Sequence, residues 1–221
     1  MPIPKVVYQT FKHQNLPLIT RLFIKWLKWV NKDYRYEFYD DARIEAFLQT
    51  DFDEEVLAAY KKIDIGAAKA DFFRYCILYK KGGIYLDIDA YVLKPLDKFI
   101  KPDDVAVISR EGHPGVFVQW ALIYEAGHPF LEKTIAQVLE NIKYNRYPHD
   151  VHKMTGPTPY SIIINEYIEN NILVNYRLMG TDYNGVIKSR LPLGRLLYRN
   201  EKEGHWKKAQ LTRGVLKNPS N

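Results

Sequence analysis

The sequence predicts a single α/β domain spanning residues 1–221, in which helices cover a mostly parallel central sheet. Two observations predict this class. Segments that alternate in hydrophobicity, as strands do, are repeatedly followed by segments with helical periodicity. The 221 residues, of which 47% are hydrophobic, can bury one substantial core, and no internal repeat, low-complexity tract or linker divides them.

The chain opens with two predicted strand–helix units. The first comprises a strand at residues 6–8 and a helix whose apolar residues recur at helical spacing up to residue 31. The second comprises an alternating strand at residues 34–39 and a helix that Asp40 and Asp41 can cap. Two such units in succession favour the α/β class.

The remaining elements continue this alternation to about residue 178. Further helices are predicted at residues 53–62, 67–80, 130–143 and 157–170. Further strands are predicted at residues 84–89, 104–108, 117–124 and 173–178. The glycine pair at residues 82–83 ends the helix before it, and the tail after the last strand is predicted to be irregular.

The formal net charge of +6 comes from the C-terminal tail, residues 188–221, which holds nine Lys and Arg residues against two Glu residues. Such a tail suits contact with an anionic membrane, nucleic acid or substrate phosphates, and a solvated basic end is the plainer alternative. We take peripheral contact with an anionic membrane as the hypothesis and expect no nucleic-acid partner.

Composition also bears on the compartment. No run reaches the roughly 18 apolar residues of a membrane-spanning helix, and the N-terminus lacks the pattern of a secretory signal peptide. Cys76 is the single cysteine and therefore cannot form an internal disulfide. We expect a cytoplasmic protein, with peripheral contact at the inner face of the membrane as an additional hypothesis.

Two carboxylates at the end of a predicted strand carry the most informative chemistry. Asp87 and Asp89 lie two residues apart, so in a strand they project to the same face at its carboxyl end, where open α/β sheets bind ligands. Two adjacent carboxylates repel each other unless a cation lies between them, and a hard divalent ion that also binds phosphates meets this need. The pair predicts a site for Mn²⁺ or Mg²⁺, although a lone D-x-D often marks only a solvated turn.

The preceding helix carries a second pair of charges. Asp71 and Arg74 are three residues apart and share a helix face, so they can stand behind the two carboxylates. A surface ion pair is the alternative interpretation.

Together these segments resemble glycosyltransferase family 32, a group that includes fungal initiating α-1,6-mannosyltransferases and the glucosylating domains of clostridial toxins. The match covers about residues 66–97, with A-K-A-D-F-F-R-Y on the helix followed by G-G-I-Y-L-D-I-D. Shorter matches lie in the family's order at residues 3–11, 128–130 and 154–157. The chain departs from the family pattern at Tyr8, Phe11 and Ala70, which bears on donor choice.

The resemblance implies a GT-A fold and a metal-dependent transferase that retains the α configuration of its nucleotide-sugar donor. A UDP-activated hexose is favoured as donor, and GDP-mannose is the alternative. The implied acceptor is a saccharide or a lipid-linked saccharide in the synthesis of a surface polysaccharide or glycolipid.

The resemblance also assigns residues to the donor site. Asp89 would bind the metal directly, and Asp87 would bind the metal or the ribose of the donor. Asp71 and Arg74 would hold ribose or sugar hydroxyls, and Tyr85 would support the site. The residues that would border the base are Val7, Tyr8, Gln9 and Thr10.

Two later segments supply further candidates. In the loop at residues 204–208, His205 could be a third metal ligand and the indole of Trp206 could donate to a phosphate oxygen. The alternative is an exposed tail histidine beside a tryptophan that packs on the core. Gln119 and Trp120 follow a loop rich in glycine and proline, where they could contact the acceptor or pack in the core.

Two other function classes remain open from the residues alone. A phosphatase of the haloacid-dehalogenase type also ends a strand with D-x-D, but Tyr91 stands where that motif has Thr or Val. A basic module that binds nucleic acid or anionic lipid would use the tail and the helix around residues 26–29.

Overall fold

The computed structural model of the chain describes residues 2–189 and 206–217. The strands are β1 (Val6–Thr10), β2 (Arg35–Tyr39), β3 (Gly83–Leu86), β4 (Tyr91–Val92), β5 (Ala106–Ser109), β6 (Ala121–Tyr124), β7 (Arg177–Met179) and β8 (Ile187–Lys188). The helices are α1 (Leu18–Val30), α2 (Asp41–Asp51), α3 (Glu54–Lys62), α4 (Gly66–Lys81), α5 (Pro129–Lys143), α6 (Val151–Met154), α7 (Pro157–Glu169), α8 (Thr181–Asn184) and α9 (Trp206–Arg213). Among the described residues, no helix has the length and apolar character needed to span a membrane.

A six-stranded sheet in the order β2-β1-β3-β6-β5-β7 forms the centre of the fold. β1 pairs in parallel with β2 and β3, and β5 pairs in parallel with β7. β6 lies antiparallel between β3 and β5. The predicted α/β class with a mostly parallel sheet is therefore confirmed, with β6 as the strand of opposite direction.

Alternate residues of each strand enter two cores on the two faces of the sheet, as the two-residue period of a strand requires. On one face Tyr8 and Tyr85 pack with the aromatic and aliphatic side chains of helices α2 to α5 and α7. On the other face Val7 and Ile84 pack with Leu27 of α1. Helices thus cover both faces, and the sheet is held rigidly between them.

Several predicted elements are found with bounds shifted by a few residues. The helix predicted from Asp40 is α2, and the carboxylate of Asp40 caps it by accepting from the backbone N–H of Arg43 at 3.0 Å. The helix predicted at residues 67–80 is α4, which ends at Gly82 with a φ of 61°. These elements follow directly from local sequence patterns.

Two predicted segments are wrong. The strand predicted at residues 84–89 ends at Leu86, and the backbone N–H of Ala90 then closes a turn by donating to the carbonyl of Asp87 at 2.8 Å. We call residues 87–89 the DXD turn. The tail, predicted to be irregular, contains helix α9. The segment after this helix packs on the rest of the domain, where the N–H of Val215 donates to the carbonyl of Pro148 at 2.7 Å.

The glycine pair between α4 and β3 allows an approach that no other residue could make. Gly82 and Gly83 have φ values of 61° and 111°. A Cβ on Gly83 would lie 2.8 Å from the carbonyl oxygen of Val6, and one on Gly82 would lie 2.7 Å from the backbone nitrogen of Ala126. The pair therefore lets α4 turn sharply into β3, directly beside β1.

We expect Gly83→Ala to lower the free energy of unfolding by about 2 kcal/mol or more, because the new Cβ meets backbone and the positive φ disfavours alanine. Gly112→Ala is the matched control, since a Cβ there meets nothing within 4 Å, and a surface change of this kind costs less than about 0.5 kcal/mol. Urea denaturation measures both. Equal stability of the two variants would contradict this account of the turn.

Candidate active site

A cavity of about 650 Å³ lies where β1 and β3 end. This is the edge of a sheet at which α/β proteins bind ligands, because the carboxyl ends of parallel strands meet there. The predicted site residues that line it are Thr10, Asp71, Arg74, Tyr85, Asp87, Asp89, Gln119, Trp120 and Trp206. Residues from distant parts of the chain therefore converge on one space.

Arg74 is the centre of the site. Asp71 and Arg74 lie one turn apart on α4, and only 4% of the Arg74 side chain is exposed. Its Nη2 lies 3.1 Å from Oδ1 of Asp71 and 2.8 Å from Oδ1 of Asp87. Its Nη1 donates to the backbone carbonyl of Gln119 at 2.8 Å, and its guanidinium carbon lies 4.7 Å from the centre of the Tyr85 ring. The pair is thus buried, unlike a surface ion pair, and it joins α4 to the end of β3.

A hydrogen-bonded network surrounds the Asp71 carboxylate. Its Oδ1 accepts from Nε2 of Gln119 at 3.0 Å, and its Oδ2 accepts from the hydroxyl of Thr155 at 3.1 Å. The same Nε2 donates to the hydroxyl of Tyr75 at 2.9 Å. Burial raises the pKa of the Asp71 carboxyl, while Arg74 and the two hydrogen-bond donors act in the opposite direction. A charged Asp71 therefore depends on these partners.

Two members of this network, Tyr75 and Thr155, received no role from the sequence. The signal for Thr155 was its place in the match at residues 154–157, while Tyr75 reads as one of several apolar residues on α4. Gln119 was a candidate for acceptor contact or for core packing; the residue is 6% exposed, and its side chain bonds within the network. A sequence pattern does not reveal such bonds, because their partners lie more than 40 residues apart.

Asp87 is fixed by both its side chain and its backbone. The hydroxyl of Tyr85 donates to Oδ1 at 3.0 Å, beside the contact with Arg74. Its backbone N–H donates to the carbonyl of Trp120 at 2.8 Å, and its carbonyl accepts from Nε2 of Gln9 at 3.0 Å. Within residues 2–189 and 206–217, the hydrogen bonds and ion pairs of this carboxylate all involve Oδ1. The side chain is 28% exposed, so Oδ2 can face a ligand.

The two acidic side chains of the DXD turn line the cavity, and the apolar side chain between them is largely buried. Asp89 is half-buried and lines the same cavity as Asp87. Ile88, between them, is buried against Leu16, and Phe11 and Ile24 pack on this small cluster. The two carboxylates therefore both line the cavity, as predicted from a strand, although these residues form a turn after β3.

The donor set of the turn fits a hard divalent cation. Carboxylate oxygens suit Mn²⁺ and Mg²⁺, which commonly take one or two protein carboxylates and fill their remaining positions with phosphate oxygens and water. No cluster of three or more His, Cys, Asp and Glu side chains that could hold a metal is found in the described part of the chain. His205, expected as a third ligand, lies outside the described residues.

The residues expected to border the base are divided by the structure. Val7 and Tyr8 are buried, one in each core, and do not line the cavity, because side chains within a strand of the sheet point into its two faces. Gln9 supports the backbone of Asp87. Thr10, at the end of β1, lines the cavity.

Two tryptophans form further parts of the wall. Trp120 is half-buried, and the edge of its ring packs on Tyr183 with centroids 6.4 Å apart. Trp206 begins α9 and lines the cavity together with Lys207. The C-terminal segment thus reaches the site, as the sequence suggested, but as a helix.

Comparison with known proteins agrees with this geometry. Residues 20–106 match the family model for the glycosyltransferase sugar-binding region containing a DXD motif. The chain is 26% identical over 215 residues to the initiation-specific alpha-1,6-mannosyltransferase of Candida albicans, across 78% of this chain and 54% of that protein. It is 31% identical over 172 residues to the inositol phosphoceramide mannosyltransferase 3 of Schizosaccharomyces pombe, across 73% of this chain and 44% of that protein. The chain spans about half the length of these curated relatives.

A solved structure identifies the fold. The UDP-bound glycosyltransferase domain from the YGT toxin has a TM-score of 0.60 and 9% sequence identity, covering 88% of this chain and 82% of that chain. The fold is accordingly that of a GT-A glycosyltransferase, as predicted. The chain is therefore similar to the DXD-containing glycosyltransferases, through the family model at residues 20–106 and through curated relatives beyond that region. These similarities favour the transferase interpretation over a phosphatase or a purely non-enzymatic module.

We expect Arg74→Met to lower the free energy of unfolding by about 3–5 kcal/mol at neutral pH, because it leaves two carboxylates facing each other without their shared cation. The loss should shrink as the pH falls, because the pKa of Asp71 is already raised and protonation removes the repulsion. Urea denaturation at several pH values measures this.

Lys81→Met is the matched control for Arg74→Met. Lys81 lies 3.7 Å from Asp51, and its side chain is 42% exposed, so losing this surface pair costs less than about 1 kcal/mol. If the two variants proved equally stable, Arg74 could not be the cation that holds the site together.

Proposed function

We propose that the chain transfers a hexose from a nucleotide sugar to a hydroxyl group of a saccharide or glycolipid, with retention of the α configuration. The observation that carries this proposal is the meeting of the DXD turn with the buried Asp71–Arg74 pair in one cavity. In the transfer, the bond from the anomeric carbon to the diphosphate breaks and the nucleoside diphosphate keeps the electron pair. A bond to the acceptor oxygen forms, and the proton of that hydroxyl passes to the departing diphosphate or to solvent.

The donor diphosphate would bind at the DXD turn. Asp89, with Asp87, would hold Mn²⁺ or Mg²⁺, which when bound supplies positive charge against the diphosphate. The indole N–H of Trp206 would donate to a phosphate oxygen, and Lys207 beside it adds charge to that wall. His205 is retained as a proposed third ligand.

The sugar or ribose hydroxyls would bind deeper in the cavity. As the alternative to metal binding, Oδ2 of Asp87 can accept a hydrogen bond from one of these hydroxyls, since Arg74 and Tyr85 occupy Oδ1. Arg74 and Asp71 act chiefly by positioning, because their contacts hold one another and the DXD turn in place. Such a preorganised arrangement requires no rearrangement of charges when the donor arrives.

The donor is proposed from two kinds of relative. The two curated relatives named above are mannosyltransferases, which favours GDP-mannose. The solved toxin domain is bound to UDP, which supports the UDP-sugar that the sequence favoured. Because the curated relatives share more of the sequence, we now place the mannosyl donor first and the UDP-sugar second.

The acceptor is proposed to lie beside Trp120. This side chain is half-buried at the cavity wall, as a ring that stacks on a sugar must be. One curated relative is named for inositol phosphoceramide, which supports a glycolipid as acceptor, and a surface polysaccharide remains the other proposed product. A glycolipid acceptor requires peripheral contact with a membrane.

We expect one of GDP and UDP to bind in a manganese-dependent way, and Asp89→Asn to weaken that binding more than about tenfold. Titration calorimetry of each nucleotide, with and without Mn²⁺, measures this. Asp103→Asn, at an exposed residue away from the cavity, is the control and should bind as the wild type does. Absence of binding by both nucleotides would argue against the proposed function, and full affinity in Asp89→Asn would remove Asp89 from the metal site.

We expect Trp206→Ala to raise the donor KM about five- to tenfold, because one hydrogen bond to a charged oxygen is lost. Manganese affinity should stay unchanged. Leu211→Ala on the same helix is the control, since Leu211 is 72% exposed and does not line the cavity. Initial-rate kinetics with the donor identified by calorimetry provide the comparison, and an unchanged KM in Trp206→Ala would exclude the indole from donor binding.

A further inference from the structure

The outer face of α1 is apolar although it faces solvent. The inner face of this helix is buried through Thr20 and Leu27. The outer face carries an apolar stripe, which we define as Leu18, Leu22, Trp26 and Trp29. Their exposed fractions are 65%, 49%, 48% and 71%. Isolated exposed apolar residues are ordinary, but four on one helix indicate an interaction surface.

The stripe is continuous along the helix. Leu18, Leu22 and Trp26 are spaced four residues apart, and Trp29 follows after three, so all four lie on one side. The rings of Trp26 and Trp29 touch, with centroids 5.1 Å apart. The helix has 13 residues and is therefore about 20 Å long, so the stripe extends along most of that length.

Basic residues flank the stripe on one side. Between residues 11 and 32 the chain has five Lys and Arg residues and no Asp or Glu. At the helical angle of about 100° per residue, Arg21, Lys25 and Lys28 form a row next to the stripe, and Lys32 follows just after the helix ends. All four are exposed. The surface therefore combines an apolar stripe with a row of exposed positive charges beside it.

We propose that this face of α1 binds an anionic lipid surface. Tryptophan and leucine partition into the boundary between headgroups and acyl chains, and adjacent Lys and Arg residues reach the lipid phosphates. A protein partner fits the composition less well, because lysine is depleted in protein interfaces. The proposal rests on α1 itself and needs no contribution from the basic tail.

The lipid-binding face lies next to the DXD turn. Ile88, between Asp87 and Asp89, shares a cluster with Leu16 and Ile24, and a small crevice is lined by both Trp26 and Ile88. Docking through α1 would thus hold the cavity close to the lipid headgroups. This consequence, but not the lipid binding, rests on the proposed function, because it requires a glycolipid acceptor.

The test is cosedimentation of the full chain with phosphatidylcholine vesicles, with and without about 30% phosphatidylserine, at about 50 mM and about 500 mM salt. We expect binding to the anionic vesicles at low salt, and a loss of more than about tenfold in partition coefficient for Trp26→Ala/Trp29→Ala. Arg21→Gln/Lys25→Gln/Lys32→Gln should lose a similar factor and most of the salt dependence.

The control variants remove exposed apolar and exposed positively charged side chains away from α1. Leu173→Ala removes a side chain that is fully exposed, and Lys101→Gln/Lys133→Gln/Lys143→Gln removes three exposed positive charges; both should bind as the wild type does. Absence of wild-type binding, equal binding to neutral vesicles, or equal losses in controls and α1 variants would overturn the proposal.

Nucleotide binding, measured on the same proteins, separates this proposal from the proposed function. The α1 variants should retain it, which also shows that they are folded. Lipid binding without nucleotide binding would support the α1 surface and count against the transferase. Nucleotide binding without lipid binding would support the proposed transferase and overturn the α1 surface as a lipid-binding face.

Discussion

A single buried guanidinium organises the functional end of this protein. Arg74 lies between Asp71 and Asp87, and each of these carboxylates is further bound by groups from other elements. Buried charges are costly unless they are paired and hydrogen-bonded, so the position of each member is set by the others. The turn that carries Asp89 is consequently placed by electrostatics as much as by the sheet.

The elements that were predicted correctly are those whose cause is local. Asp40 caps α2, and the glycine pair after α4 ends that helix, because caps and positive φ values depend on adjacent residues. The end of β3 was misplaced because it depends on Gln9 of β1 and on Trp120, the residue before β6, which bond the backbone of Asp87. Helix α9 was not predicted because its sequence has no apolar periodicity. The segment that follows it is held by residues distant in the sequence, such as Pro148, which accepts from Val215.

For the site, spacing in the sequence predicted which charges would meet but not their environment. The spacing of Asp71 and Arg74, and of the two DXD carboxylates, predicted that these four side chains lie together, and all four line one cavity. Spacing could not show that Gln119 would be buried in the network, or that Tyr8 would be buried in the core instead of bordering a base. Burial depends on which strands become neighbours, and this is decided by the whole fold. The functional roles of these residues remain predictions.

One short stretch of chain, from α4 through β3 to the DXD turn, carries five of the residues proposed for the donor site. Asp71, Arg74, Tyr85, Asp87 and Asp89 all fall within residues 71–89, whereas Trp120 and Trp206 come from separate segments. Under the proposed roles, changes in the segment that carries Trp120 would alter the acceptor and leave these five residues in place. Changes in the segment that carries Trp206 would instead reach the diphosphate of the donor.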